Sequence, residues 1–199
     1  TWSGAADGLS GVYGYSFLWD QSSTTIPDTT VDTTGTSTTS PALADSSNWY
    51  LHVRTRDNAG NWAGGAYHIG PFKIDANAPT NPATYSSSHT ANAWSNDNAI
   101  DVTWYGASDG SGSGVYGYSY SWTTSPTLPD TTVDTTGTSV TSLPLSDSWW
   151  YLNIRTKDNA ENWNSWYVYC GPFGIDTGSP NNPNSYTSSH TVNVWSTDN

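Results

Sequence analysis

The sequence predicts an all-β protein of tandem β-sandwich domains, and three observations carry that prediction. Apolar and polar residues alternate over short runs, the period of two that a half-buried strand requires. Trp150, Leu152 and Ile154 share one face of such a run, as do Trp49, Leu51 and Val53. Each run ends in a tight-turn sequence, Asp158-Asn-Ala-Glu-Asn162 or Asp57-Asn-Ala-Gly-Asn61, whose side chains can cap backbone amides. Finally, the whole pattern occurs twice. Trp2 aligns with Trp104 and Asn98 with Asn199, a period of about a hundred residues. That is too long for a solenoid unit and suits sandwich domains in series.

The elements follow in order. Residues 1–2 read as the end of a strand whose complete form is Ile100 to Trp104, with Ile100, Val102 and Trp104 on one face. A loop follows, Asp7 to Gly11 or the glycine-rich Asp109 to Gly114. The next strand alternates Tyr15, Phe17 and Trp19, matched by Tyr118, Tyr120 and Trp122. These aromatics, with Trp2 and Trp104, are expected to fill the core. Residues 27–37 and 129–139 are identical, and their threonines suit an extended edge segment. A short strand then leads to Leu43 or Leu145, followed by the hairpin. The hairpin's last strand ends at Asp75 or Asp176. The proline-bearing linkers 76–82 and 177–183 break any strand pattern. After them, Tyr85 to His89 or Tyr186 to His190 reads as a first strand, with the histidine facing solvent.

Acidic residues outnumber Lys and Arg 17 to 5, for a net charge of −12. Five cations cannot form a phosphate-binding face, so no nucleic-acid partner is expected. No long apolar run is present, so no membrane insertion by this segment is expected, nor a signal peptide. The absence of methionine suggests a mature or excised segment. Cys170, whose counterpart is Ile69, reads as a small core hydrophobe, and one cysteine allows no disulfide framework. No Asn-x-Ser/Thr sequon occurs.

The motif order resembles a fibronectin type III or bacterial immunoglobulin-like repeat over nearly the whole chain. Ile100-x-Val-x-Trp104 resembles that family's second strand, and Val115-x-x-Tyr-x-Tyr-x-Trp122 its third. Leu145 followed by Trp150-Tyr151 resembles the turn into its sixth, although Tyr151 falls on the face opposite Leu152 and Ile154. The Ser-Gly-Val and Asp-x-Ala-Gly-Asn signatures resemble repeats of prokaryotic surface and extracellular filament proteins. The resemblance implies tandem Ig-like or fibronectin type III-like sandwiches. Residues 1–76 would be a repeat lacking its first strand and most of its second, and 77–176 a complete repeat. Residues 177–199 would be the first strand of a following repeat, or a strand donated to a neighbouring chain. Both a longer covalent array and a strand-donation polymer remain open.

Catalysis finds no support. His52, His68, His89 and His190 are scattered, there is no Gly-x-Ser-x-Gly elbow, and no zinc-ligand spacing is present. If the family topology holds, the Asp109 loop, the Asp158 turn and the linker after Asp75 lie at one pole. Asp75, Asp109, Asp158 and Asn162 then converge as oxygen ligands for Ca²⁺, the one cofactor the sequence points toward. Asp7 and Asp57 are the equivalents toward a preceding repeat, and Asp176 toward a following one. Trp62, Trp94, Trp149, Trp163, Trp166 and Trp195 have no core partner and suit interface or glycan contact. The expected function is a non-catalytic structural repeat of an extracellular or cell-surface fibre, stalk or layer, with copies of itself as partners. The alternatives are an adhesin or carbohydrate-binding module, or an accessory region of a secreted hydrolase.

Overall fold

In a computed structural model of the chain, residues 1–197 are described. Asn199, which closes the repeat alignment and the 177–199 segment, lies outside the described residues. The chain is all-β, with ten strands and no helix among the described residues. The strands are β1 (Val12–Asp20), β2 (Ser46–Asp57), β3 (Tyr67–Ile74), β4 (Thr84–Ser87), β5 (Trp94–Ser95), β6 (Asp101–Tyr105), β7 (Val115–Thr123), β8 (Ser139–Thr141), β9 (Ser148–Asp158) and β10 (Val168–Ile175). They form three sheets, ordered β1-β2-β3, β4-β6-β8 and β5-β10-β9-β7. Every pairing is antiparallel except β5 with β10.

In the second repeat, two sheets enclose one core. Val102 and Trp104 of β6, with the preceding Ile100, come from one side. Tyr118, Leu152, Ile154, Cys170, Phe173 and Ile175 come from the other. Leu152 and Ile154 are two residues apart on β9, so the pleat sends both inward. Tyr151 points away and meets Tyr169 edge-on at 5.5 Å. Trp104 and Tyr118 pack T-shaped at 5.2 Å, as their counterparts Trp2 and Tyr15 do. The first repeat's core is smaller: Tyr15, Leu51 and Val53, with Trp2, Phe17, Trp19 and Ile69 partly buried against it. No second sheet faces β1-β2-β3 among the described residues. Phe72 is accordingly 38% exposed where its counterpart Phe173 is fully buried.

Five expectations are corrected. Residues 1–2 are not strand, although Trp2 N–H donates to Thr36 O much as Trp104 N–H donates to Thr138 O. The identical segments 27–37 and 129–139 are folded-back loops rather than extended edge strands. Within them, the Asp32 carboxylate accepts the Phe17 amide at 2.7 Å, and Asp134 accepts Tyr120 at 2.8 Å. The Ser16 hydroxyl lies 3.2 Å from both Asp28 and Asp32, and Ser119 stands the same way to Asp130 and Asp134. These carboxylates bind backbone and side chain of β1 or β7, so the threonines' strand propensity is overridden. His89 lies just beyond β4 and is buried, because its Nε2 bonds the Asp97 carbonyl at 2.8 Å and its ring packs on Phe173. His190 is exposed, as expected, but residues 186–190 form no strand, and neither do residues 38–43 ahead of the first hairpin.

A candidate metal centre at the junction between repeats

The hairpin turns form because an aspartate closes each one. Asp57 Oδ1 accepts the Asn61 amide at 2.8 Å, and Asp158 Oδ1 accepts Asn162 at 2.7 Å. In the second repeat this turn meets the end of the first. Asp75, just past β3, reaches the 109–114 loop and accepts the Ser113 amide at 2.6 Å. Asp109 accepts the Gly114 amide at 2.7 Å. A carboxylate oxygen from each of Asp75, Asp109 and Asp158 lies within 4.8 Å of the other two, and Asp158 is fully buried. Gly112 permits the approach: a Cβ there would sit 2.5 Å from Asp109 Oδ2 and 2.9 Å from Asp75 Oδ2.

Asn162 joins the cluster as a donor. Its Nδ2 bonds the Asp158 carboxylate at 2.8 Å and the Asp75 carbonyl at 3.1 Å. It therefore braces the acids, and the oxygen set is the three carboxylates. The Ser113 hydroxyl and amide, acting against desolvation, hold the Asp75 carboxyl below its ordinary range, and contacts with Asn77 and Asp109 add to them. Among the described residues the ion pairs are His52–Asp20 and Lys157–Glu161, and neither includes a cluster acid. Burying a carboxylate without a counter-charge is costly.

The linker between the repeats is docked. Pro79 is fully buried, and its carbonyl accepts Asn164 Nδ2 at 2.7 Å. Asn81 accepts the Thr156 amide and donates to the Trp166 carbonyl, both at 3.0 Å. At the linker's start Asp45 accepts the Ala76 amide, and its second oxygen accepts Asn77 Nδ2. Asp147 holds Thr177 in the same way after β10.

No protein-family model matches the chain, and a search of curated proteins returns no significant relative.

The remaining candidates separate into groups. Asp7 accepts the amides of Leu9, Ser10 and Gly11, and its charge bears on Asp57, so this pair reproduces two thirds of the junction cluster. Asp176 is exposed and accepts the Gly178 amide, as Asp75 accepts Asn77. Trp62 lies under Arg54, and Trp163 under Arg155 and Lys157. Trp94 packs against Trp149 with centroids 4.3 Å apart and the rings tilted by 46°. That contact needs Gly174, where a Cβ would come within 2.7 Å of the Trp94 ring; the first repeat carries Lys73 at this position. Trp166 is 77% exposed, and Trp195 is exposed. Sequence reasoning missed a groove of about 340 Å³ between β4 and β10, walled by Tyr85, Tyr167 and Tyr169 over Trp104, Ile154 and Cys170. Burial pushes the Cys170 thiol up to about 12, leaving it an inert core residue.

Two histidines thought scattered also meet. His52 and His68 face each other across β2 and β3, with Nδ1 atoms 2.6 Å apart. The hairpin register was the signal that could have found them.

Proposed function

We propose that this chain is a non-catalytic structural segment of an extracellular or cell-surface fibre, stalk or layer. In this reading it is built of Ig-like or fibronectin type III-like repeats whose junctions are clamped by Ca²⁺. The observation that carries the reading is the convergence of Asp75, from the end of one repeat, with Asp109 and Asp158 of the next. Ca²⁺ takes oxygen ligands at about 2.3–2.6 Å, so oxygens on opposite sides of one ion stand roughly 4.6–5.2 Å apart. The cluster's oxygens all lie within 4.8 Å of one another, close enough to share a single ion. Such an ion supplies the missing counter-charge for Asp158 and ties the repeats together. The docked linker supports the same reading, since a rigid joint turns a string of sandwiches into a rod. The natural partners of such a segment are further copies of the repeat.

Calorimetry of chelator-treated protein, with and without added Ca²⁺, tests the clamp. A ligand at a hundredfold excess over its Kd stabilises by about 2.7 kcal/mol. Wild type should therefore melt higher with Ca²⁺, and Asp109→Asn should not respond. Equal melts for wild type with and without Ca²⁺ would remove the clamp from the proposal. Electron microscopy of the native material tests the larger claim, because regular fibres or sheets are required. The tyrosine-walled groove favours carbohydrate binding as a second reading, since sugar rings stack on aromatic faces. A glycan-array signal abolished by Tyr169→Ala would favour it.

A further inference from the structure

The outer face of the first sheet carries a polar constellation that the second repeat lacks. His52, central on β2, is fully buried, and its Nε2 lies 2.9 Å from the Asp20 carboxylate. A carboxylate only accepts, so this contact places a proton on Nε2 and leaves Nδ1 of neutral His52 as a lone pair. That lone pair faces Nδ1 of His68, 2.6 Å away on edge strand β3. Asp20 is itself fixed by the Ser22 amide, and Tyr50 stacks beside His52. At the equivalent positions the second repeat has Asn153 and Tyr169. Asn153 ties β9 to the end of β7 through Thr123 and to the connection after it through Thr127, much as His52 ties β2 to Asp20 at the end of β1. The Nε2 contact therefore has a structural counterpart in the second repeat, and the facing Nδ1 pair has none.

We propose that His52 and His68 form a bis-imidazole site for a borderline divalent transition-metal ion such as Zn²⁺ or Ni²⁺, with Asp20 orienting the buried ligand. Imidazole nitrogens select such ions over Ca²⁺, and a ligating histidine almost always donates its other N–H to a carboxylate or carbonyl. Two nitrogens on one tetrahedral ion, each about 2.0–2.1 Å from it, stand roughly 3.3 Å apart. The pair must therefore open by about 0.7 Å on that geometry. His68 is exposed on an edge strand, so its ring is the one that moves. As the ion enters, the Nδ1 proton of His68 shifts to its Nε2, and water fills the remaining positions.

The test is isothermal titration of Zn²⁺ and Ni²⁺ into the whole chain with Ca²⁺ in excess, so that any calcium site is occupied. The variants are His68→Tyr and His52→Asn, each placing the second repeat's own residue in the same fold, together with Asp20→Asn and Asp109→Asn. Wild type and Asp109→Asn should bind one ion alike. His68→Tyr and His52→Asn should each lose at least tenfold in affinity, and Asp20→Asn about ten- to a hundredfold. Because the junction variant is a control, failure here leaves the calcium reading untouched. Undiminished binding by His68→Tyr would overturn the assignment. So would no wild-type binding at millimolar metal, with the pair holding only a proton.

Discussion

Replacing Trp104 by Ala removes the largest fully buried side chain of the second repeat. An indole buries about 150–250 Å². At about 25 cal/mol per Å² that area gives roughly 4–6 kcal/mol, and discounting for a compact unfolded chain brings it to about 3–5 kcal/mol. Large-to-small changes of aromatic core residues cost the same amount. One term opposes it. The Trp104 indole N–H is buried and makes a weak contact with the Tyr118 side chain rather than a well-formed hydrogen bond, so its removal relieves up to about 1 kcal/mol of uncompensated desolvation. Trp104→Phe, which removes that N–H while keeping a ring against Tyr118, should therefore cost well under half of Trp104→Ala. Urea unfolding followed by far-ultraviolet circular dichroism, with Trp2→Ala as a partly exposed comparison, measures all three. An Ala variant within about 1 kcal/mol of wild type would refute the placement of Trp104 between the two sheets.

Other perturbations read other parts of the chain. Gly112→Ala should push Asp109 and Asp75 apart and lower the Ca²⁺-dependent gain in melting temperature, while a similar gain would show that the loop gives way freely. Cys170 should resist a thiol-specific disulfide reagent in the native state and react on unfolding; rapid native labelling would contradict its burial. Asp7, Asp28, Asp57, Asp75, Asp130 and Asp147 are all held below their ordinary pKa. The dominant lowering causes are hydrogen bonds: backbone amides for Asp7, Asp28, Asp130 and Asp147, the Asn61 side chain for Asp57 and the Ser113 side chain for Asp75. A depressed folded-state pKa gives stability that is present above about pH 4, the unfolded value, and lost as pH falls through the folded values. The melting temperature should be flat near neutrality and fall below pH 4, and a rise on acidification would reverse the sign.

What the sequence made legible divides along physical lines. Strand alternation identified the inward faces of β1, β2, β6, β7 and β9, because the pleat ties spacing directly to facing. The junction acids were legible one step further on, since the motif order placed their loops at one pole. Residues 27–37 misled because threonine signals strand while the competing hydrogen bonds of Asp28 and Asp32 reach back to Ser16 and Phe17. His89 misled because its burial depends on Asp97 and Phe173, which only the folded chain brings close. His52 and His68 lie 16 positions apart and meet only through the register set by the Asp57 turn.

The linker latches extend beyond one joint. Asp45 grips the chain leaving β3, and Asp147 grips the chain leaving β10 at the same point. Each latch thus sets the course of the chain that leaves its sheet. If the proposed array repeats this joint, equal rotations compound step after step into a screw, and the array winds as a regular superhelix.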